Sequence, residues 1–207
     1  MNLIQKQFFD ACLKGDSQQV KLLLIQDPQF DINTRNAFGF TPLTLACANS
    51  HVDVVKLLLA DSRIDVNIGN NNGLTPLNFA CRRGKDEIVN ELLKMKQVDC
   101  NLPDKNGWTP LMVASYMSDL KIVECLLGSE HQVNISLVDK DDKTAIDVAR
   151  DKSTEIMYDF EGTEVREIIL HKQIKVQILN LLEKFQMDSV ATKMELRIKL
   201  GFAGNFF

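Results

Sequence analysis

The residue types that carry most enzyme chemistry are sparse and scattered in this chain of 207 residues. Its three histidines, His51, His131 and His171, lie far apart in sequence. No segment matches the G-x-S-x-G turn of a serine nucleophile, a Walker-type phosphate loop or the H-E-x-x-H helix of a zinc protease. Acidic pairs such as Asp141-Asp142 fall in turns that solvent reaches. The sequence therefore predicts no catalytic residue, and we expect that the chain is not an enzyme.

Cysteine spacing gives no indication of a metal site. The five cysteines are Cys12, Cys47, Cys81, Cys100 and Cys125, and none belongs to the C-x-x-C pair that is typical of zinc ligands. Cys47 and Cys81 occupy the same position of a recurring phrase, where a small buried residue is expected. An odd number of such cysteines suits a reducing compartment. We therefore expect buried free thiols, and neither a metal nor a cofactor.

Overall charge and hydropathy argue against two classes of partner. The chain has 24 basic and 28 acidic residues, which gives a net charge of −4, and the two signs are interspersed. A general nucleic-acid binder normally has a basic excess. No segment approaches the roughly 18 apolar residues of a membrane span, and Met1 to Ala11 lack the apolar run of a signal peptide. We expect a soluble protein of the cytoplasm, with the nucleus as an alternative, that binds neither nucleic acid nor membrane.

A phrase that recurs along the chain sets the positions of these residues. Three clear copies each begin at a glycine: GFTPLTLACANSHVDVVKLLL (39–59), GLTPLNFACRRGKDEIVNELL (73–93) and GWTPLMVASYMSDLKIVECLL (107–127). The Thr-Pro pairs begin at Thr41, Thr75 and Thr109, which are 34 residues apart, and a weaker copy begins at Thr144. A fixed period in this range predicts stacked structural repeats.

Each copy of the phrase predicts two helices. Thr75 suits the N-cap of the first helix, and Pro76 suits its first turn, where a backbone N–H is not needed. Leu77 and Ala80 then share one face. Gly84 permits the left-handed turn that ends this helix. The second helix carries an apolar stripe made of Ile88, Val89, Leu92 and Leu93.

These copies resemble ankyrin repeats. The family phrase is roughly D-x-x-G-x-T-P-L-H-x-A, a helix, G-H-x-x-[IV]-V-x-x-L-L and D-V-N. It appears here in 36–67, 70–101 and 104–134. The resemblance implies an all-α solenoid of helix-turn-helix repeats with β-turn tips. The sequence departs from the family at the histidine after T-P-L, which is replaced by Thr44, Asn78, Met112 and Asp147. Each inner repeat also has one extra residue before D-V-N, which lengthens a loop without breaking the stack.

The resemblance divides the chain into an ankyrin-repeat domain, 1–184, and a C-terminal helical and apolar tail, 185–207. The five expected repeats are 4–33, 36–67, 70–101, 104–134 and 139–184, the last with an insertion at 151–162. In the first repeat we expect four residues to face the core, namely Phe8, Phe9, Cys12 and Leu13. From Thr163 a helical pattern predicts one long helix or two helices broken near His171, with a coiled coil as the alternative.

The C-terminal stretch from Met187 departs from the repeat pattern. Val190 to Leu200 is predicted to form one more helix, ended by Gly201. The last six residues, Phe202 to Phe207, are apolar and aromatic. Such a tail either packs on the last helix, or is loose, or docks into a partner or a second copy of the chain.

In ankyrin-repeat proteins the turn tips and first helices line a concave surface that binds other proteins. The resemblance implies the same role for the variable positions of that surface, which are Phe38, Phe40, Asn49, Asn72, Leu74, Arg82, Arg83, Lys105, Trp108, Tyr116, Met117 and Lys140. Phe40, Leu74 and Trp108 directly precede the Thr-Pro pair, where large apolar residues also pack on the turn, so both roles stay open for them. Trp, Tyr and Arg are enriched in interface hot spots. We expect a partner segment with an apolar anchor and acidic residues.

The resemblance implies a non-catalytic protein–protein interaction module, such as a scaffold, adaptor or inhibitor. One alternative is a structural protein that self-assembles through its C-terminal tail, so a monomer and a weak homo-oligomer are both open. Another is a regulatory subunit of an enzyme complex. Some family members are hydroxylated at the asparagines that correspond to Asn67 and Asn101, which gives a modification hypothesis.

Overall fold

The computed structural model describes residues 3–27, 29–151 and 165–201, with the side chains of 165–172 excepted. This part of the chain forms helices and turns without a β-strand. The helices are α1 (Leu3–Lys14), α2 (Ser17–Gln26), α3 (Pro42–Ala48), α4 (Val52–Leu59), α5 (Pro76–Arg82), α6 (Asp86–Leu93), α7 (Pro110–Tyr116), α8 (Leu120–Gly128), α9 (Ala145–Arg150), α10 (Val165–Met187) and α11 (Ser189–Lys199).

The helices stack in two layers. The first layer runs α1, α3, α5, α7 and α9, each in contact with the next, and the second runs α2, α4, α6 and α8 in the same way. Each first-layer helix from α1 to α7 also contacts the second-layer helix that follows it in sequence. Contacts therefore run between neighbouring repeats and within each repeat, which is the arrangement of a solenoid. The expected all-α solenoid is confirmed.

Threonine starts four of the first-layer helices. The side-chain oxygens of Thr41, Thr75, Thr109 and Thr144 accept hydrogen bonds from the backbone N–H three residues later. A proline follows the threonine in the first three, where the missing N–H would have had no partner in the helix. The predicted caps are thus present, and they fix where each first helix leaves the turn tip.

The residue that replaces the family histidine continues this cap in three repeats. Asn78 Oδ1 accepts from the Thr75 N–H (3.0 Å) and hydroxyl (2.6 Å), and Asp147 makes the same two bonds to Thr144. The Thr44 hydroxyl lies 2.7 Å from that of Thr41. Met112 has no polar group to offer and is instead fully buried in the core. Three different side chains therefore support the cap at this position, and the fourth, Met112, fills the core instead.

The turn tips are built alike and are joined to one another. In each tip an Asn or Asp oxygen accepts two backbone N–H groups; Asp104 Oδ1, for example, accepts from Asn106 (2.7 Å) and Trp108 (2.9 Å). Backbone bonds then link consecutive tips, from Asn71 N to Phe38 O, from Lys105 N to Asn72 O and from Lys140 N to Asn106 O. The tips thus form a continuous hydrogen-bonded ladder along one edge of the solenoid.

The asparagines of the D-V-N motif form a second ladder. The Asn67 amide donates to the Gln97 carbonyl (2.7 Å) and its Oδ1 accepts from the Asp99 N–H (2.9 Å). Asn33 and Asn101 bridge to the following repeats with the same pair of bonds. Each of these asparagines therefore joins its own repeat to the next one.

One expectation for the first repeat is wrong. Phe8, Phe9 and Cys12 are buried as predicted, but Leu13 is 45% exposed. Successive residues of an α-helix are rotated by roughly 100°. Leu13 shares its side of α1 with Phe9, at the edge of the face that Phe8 and Cys12 form, and it lies one residue before the helix ends at Lys14, where its side chain stays in contact with solvent.

The C-terminal helices cover the end of the stack. α10 is continuous through position 171 and packs on α8, α9 and α11, which answers the question of one helix or two and places it in the stack. α11 matches the predicted last helix to within one residue, and Gly201 follows it with φ +78°. Leu196 of α11 lies against Gly128 of α8, where an added Cβ would meet the Leu196 Cβ at 3.1 Å. The insertion at 152–162 and the tail at 202–207 lie outside the described residues.

Candidate partner-binding surface

The expected binding positions lie on the tips, on the first-layer helices and at the C-caps of α3, α5 and α7. We define the tip–helix surface as the tips 36–40, 70–74, 104–108 and 139–143 together with the solvent-facing side of α3, α5, α7 and α9. Each tip runs directly into the N-cap threonine of its helix. Tip and helix of one repeat therefore form one unit, and the tip ladder sets these units side by side.

Two aromatic contacts hold large side chains in place on this surface. Trp108, at the tip of the fourth repeat, meets Tyr116 of α7 edge to face, with ring centroids 5.2 Å apart and planes at 74°. Phe40 contacts Phe79 of α5 at 5.3 Å. Such pairs contribute roughly 0.5–1.5 kcal/mol beyond their burial. Trp108 and Tyr116, predicted as separate positions, are thus one half-buried aromatic unit.

The remaining apolar candidates differ in how far they reach solvent. Leu74 is half-buried and packs against the core, as Phe40 does. Met117, after the end of α7, is 39% exposed. Phe38 is 72% exposed at the tip of the second repeat and is the most open large apolar side chain of the tip–helix surface among the described residues. Of these apolar candidates, Phe38 therefore contributes least to packing within the chain.

The polar candidates divide in the same way. The Asn49 amide donates to the Leu45 carbonyl (2.9 Å) and so helps to close α3. Arg83 Nε donates to the Ala48 carbonyl (2.8 Å) and ties α5 to α3. Arg82, which is exposed, makes no hydrogen bond or ion pair in the part of the chain that the structure describes. The sequence alone does not distinguish the two arginines, because the bond from Arg83 to Ala48 depends on how neighbouring repeats are offset.

Basic residues dominate the tip–helix surface in the middle of the solenoid. The tips and first helices with their flanking residues, the equivalent segments 35–51, 69–85 and 103–119, contain two acids, Asp104 and Asp119, and five cations, which are Arg35, Arg82, Arg83, Lys85 and Lys105. One Asp104 oxygen accepts the two tip N–H groups. The fifth repeat differs, because its exposed Lys140 is followed by Asp141 and Asp142. The chain has a net charge of −4, but the tip–helix surface of its second to fourth repeats presents a basic strip. This strip could have been predicted from the sequence.

Comparison with family models matches this chain to ankyrin repeats (three copies) over residues 8–104 and again over 84–160. The chain belongs to the ankyrin-repeat family. Comparison with curated proteins gives no match. Ankyrin repeats are generally protein–protein interaction modules, and the all-helical stack described above is their fold.

The thiols of this ankyrin-repeat protein are buried and protonated. All five cysteines are free and buried. Burial raises the pKa of Cys12 to about 12 and those of Cys100 and Cys125 to about 11, and it also raises the pKa values of Cys47 and Cys81. The thiolate is the nucleophilic form of cysteine. At neutral pH these side chains therefore act as small core residues.

The two histidines whose side chains the structure describes join neighbouring repeats. His51 Nε2 lies 2.9 Å from the Leu13 carbonyl, and His131 Nε2 lies 3.0 Å from the Leu93 carbonyl. Within the described ranges no three His, Cys, Asp or Glu side chains come together as metal ligands would. The described helices include none that is long and apolar enough to cross a membrane.

Proposed function

We propose that this ankyrin-repeat protein is a non-catalytic scaffold, adaptor or inhibitor that binds a partner protein through its tip–helix surface. The proposed binding unit is the repeat domain, 1–184. The observation that carries the proposal is the basic strip of the second to fourth repeats, set in a chain that is acidic overall. Complementary potentials steer association and select partners.

The surface chemistry also supports a class of partner. An acidic segment would meet Arg82 and Lys105, both exposed, and an apolar anchor would meet Phe38 or the Trp108–Tyr116 pair. Interfaces commonly combine a few aromatic anchors with a polar rim. The proposed ligand is therefore a protein segment with acidic residues around an aliphatic or aromatic anchor.

Arg82→Glu is the sharpest test of the acidic part, since Arg82 has no hydrogen-bond or ion-pair partner among the described residues that its loss would break. Its matched control is Lys96→Glu, which makes the same charge change at an exposed residue beyond the end of α6. A partner captured from lysate by wild type would then be titrated against both variants. We expect about tenfold weaker binding for Arg82→Glu, close to wild-type binding for Lys96→Glu, and affinity that falls with added salt.

The apolar part is tested at Phe38. Phe38→Ser removes a 72% exposed ring, so circular dichroism and the melting temperature should stay close to wild type while affinity falls. Leu22→Ser, at a 61% exposed residue of α2, is the matched control on another face. Full binding by both Arg82→Glu and Phe38→Ser would move the interface away from the tip–helix surface and contradict the proposal.

A further inference from the structure

A cavity lies between the C-terminal end of α10, the first turns of α11 and the loop that follows α8. We call it the α11 cavity, and its lining includes Val133, Phe185, Val190, Met194 and two cations, Lys193 and Arg197. Its volume is about 620 Å³, within the range of about 300–1,000 Å³ that is typical of small-molecule sites. None of its lining residues belongs to the tip–helix surface. The cavity is therefore a candidate site separate from the proposed partner-binding surface.

One side of the α11 cavity is apolar. Phe185 of α10 is buried and Val133 is half-buried, whereas Val190 and Met194 of α11 are 79% and 50% exposed. Val190 and Met194 are four residues apart, so they lie on one face of α11. The unbranched side chain of Met194 can adapt its shape to a ligand. A ligand placed here would cover apolar surface that water now reaches, which favours binding.

Two cations of α11 line the same cavity together with one acid. Arg197 pairs with Glu130 at 3.3 Å. Lys193 Nζ donates to the His131 carbonyl (2.8 Å), which uses one of the three N–H groups of an ammonium. Lys193 forms no ion pair with a carboxylate in the part of the chain that the structure describes. Two positive charges and one negative charge leave the lining with a net charge of +1.

The surroundings of Lys193 disfavour its positive charge. Burial lowers the pKa of Lys193, and the charge of Arg197 lowers it further, while Glu130 acts in the opposite direction. Burial and a neighbouring like charge both make the charged form of a group less favourable than it is in water. An anion bound beside Nζ would offset both effects.

We propose that the α11 cavity binds a small carboxylate with an apolar body, its carboxylate on Lys193 Nζ and its hydrocarbon part against Phe185, Val190 and Met194. A carboxylate supplies one negative charge, which equals the positive excess of the lining. Its two oxygens can accept the N–H groups of Lys193 that the His131 carbonyl does not use. A divalent anion would instead leave a net negative charge beside Glu130, which is costly in a partly desolvated site.

Octanoate is the probe for this site, and the full chain with methyl-labelled methionine reports where it binds. We expect saturable binding in titration calorimetry and a saturable shift of the Met194 signal. The signals of buried Met112, and of Met117 on the tip–helix surface, should stay unchanged. Acetate has the charge without the apolar body, and octanol has the body without the charge, so both should bind at least about tenfold more weakly. The absence of a saturable Met194 shift, or equal affinity for either of these compounds, would overturn the proposal.

Lys193→Met tests the ammonium directly, because methionine keeps an unbranched apolar chain and loses the charge. Its matched control is Lys96→Met, which removes the same charge at an exposed residue beyond the end of α6. We expect octanoate to bind at least about tenfold more weakly to Lys193→Met and with wild-type affinity to Lys96→Met. Wild-type affinity in Lys193→Met would refute the role of Lys193.

The substitution at Lys193 also removes the bond to the His131 carbonyl, so circular dichroism and the melting temperature check the fold of the variant. The comparison of octanoate with octanol uses the wild-type chain alone. It therefore tests the need for a carboxylate even if Lys193→Met does not fold.

Discussion

Left-handed backbone angles recur at equivalent residues, whether or not glycine is present. Gly84 ends α5 with φ +63°, and Ser50 (φ +62°) and Ser118 (φ +55°) hold the same position after α3 and α7. At the tips, Gly107 has φ +85° and Asp142 has φ +58° in the fifth repeat. A residue with a Cβ pays a steric cost in this region. The repeat geometry therefore dictates the angle, and the residue adapts to it.

Replacing Asp142 with glycine should raise the free energy of unfolding by up to about 1 kcal/mol, because glycine adopts positive φ without a Cβ clash. Chemical denaturation monitored by circular dichroism measures the change. Asp141→Gly is the matched control, since it removes the same charge at a neighbouring residue without positive φ. It should be neutral or destabilising, and an equal gain in both variants would attribute the effect to charge.

The Asp147 carboxylate makes one cap sensitive to acid. Hydrogen bonds from the Thr144 side chain and then from its backbone lower the pKa of Asp147. A carboxyl whose pKa is lower in the folded state stabilises the fold above its unfolded value, about 3.9, and that contribution is lost as pH falls through the folded value.

Asp147→Asn should therefore reduce the loss of stability between neutral pH and pH 3, because Asn78 already makes the same two bonds in the third repeat without a charge. Melting temperatures across this range measure the effect for wild type and variant. Parallel curves for the two proteins would show that Asp147 contributes nothing to acid sensitivity.

Contacts between helical repeats depend on bridges that join the loops as well as on apolar burial. Asn67 donates to Gln97 and accepts from Asp99, so one side chain satisfies two backbone groups of the next repeat. Asn134 holds the same motif position in the fourth repeat, where its side-chain oxygen accepts a local bond from the Ser136 N–H. The asparagine side chain at this motif position therefore bridges two repeats where a regular repeat follows, and makes a local turn where none does.

Asn67→Ala should cost about 1–3 kcal/mol, since it removes two bonds between repeats. Asn134→Ala should cost less than half as much, because it removes a local bond. Denaturant titrations of the two variants measure the difference. Equal losses would show that the bridge to the next repeat adds nothing beyond a local turn.

How much of these elements the sequence predicts depends on the range of the interaction. Thr75, Pro76 and Gly84 act through near neighbours, so the helix ends were predicted correctly. The Trp108–Tyr116 pair and the bond from Arg83 to Ala48 depend on tip geometry and on the offset between repeats, which spacing alone does not give. For the binding positions, the sequence predicted which residues lie on tips and first helices, and their role stays a prediction.

Residues in the middle of the solenoid pack against a neighbouring repeat on each side. Leu92 of α6 is fully buried in the third repeat, between α4 and α8. A repeat buries its apolar face only against its neighbours. A cavity at this position therefore weakens the contacts toward both ends of the stack.

Leu92→Ala should lower the free energy of unfolding by about 2–5 kcal/mol through lost burial and a cavity. The comparison is Leu22→Ala at a 61% exposed residue, which should change it by no more than about 0.5 kcal/mol. Calorimetry or denaturant titration measures both. A wild-type melting curve for Leu92→Ala would be incompatible with this packing.

The tip ladder has a consequence for how this molecule can change length. The donors of its first two rungs, Asn71 and Lys105, are 34 residues apart, and so are their acceptors, Phe38 and Asn72. Excision of residues 71–104 would bring Lys105 to the place of Asn71, with its N–H opposite the Phe38 carbonyl. Duplication of the same unit would add one identical rung. Gene rearrangements in steps of whole units therefore keep the rungs in register, whereas an insertion of any other length must be absorbed in a loop.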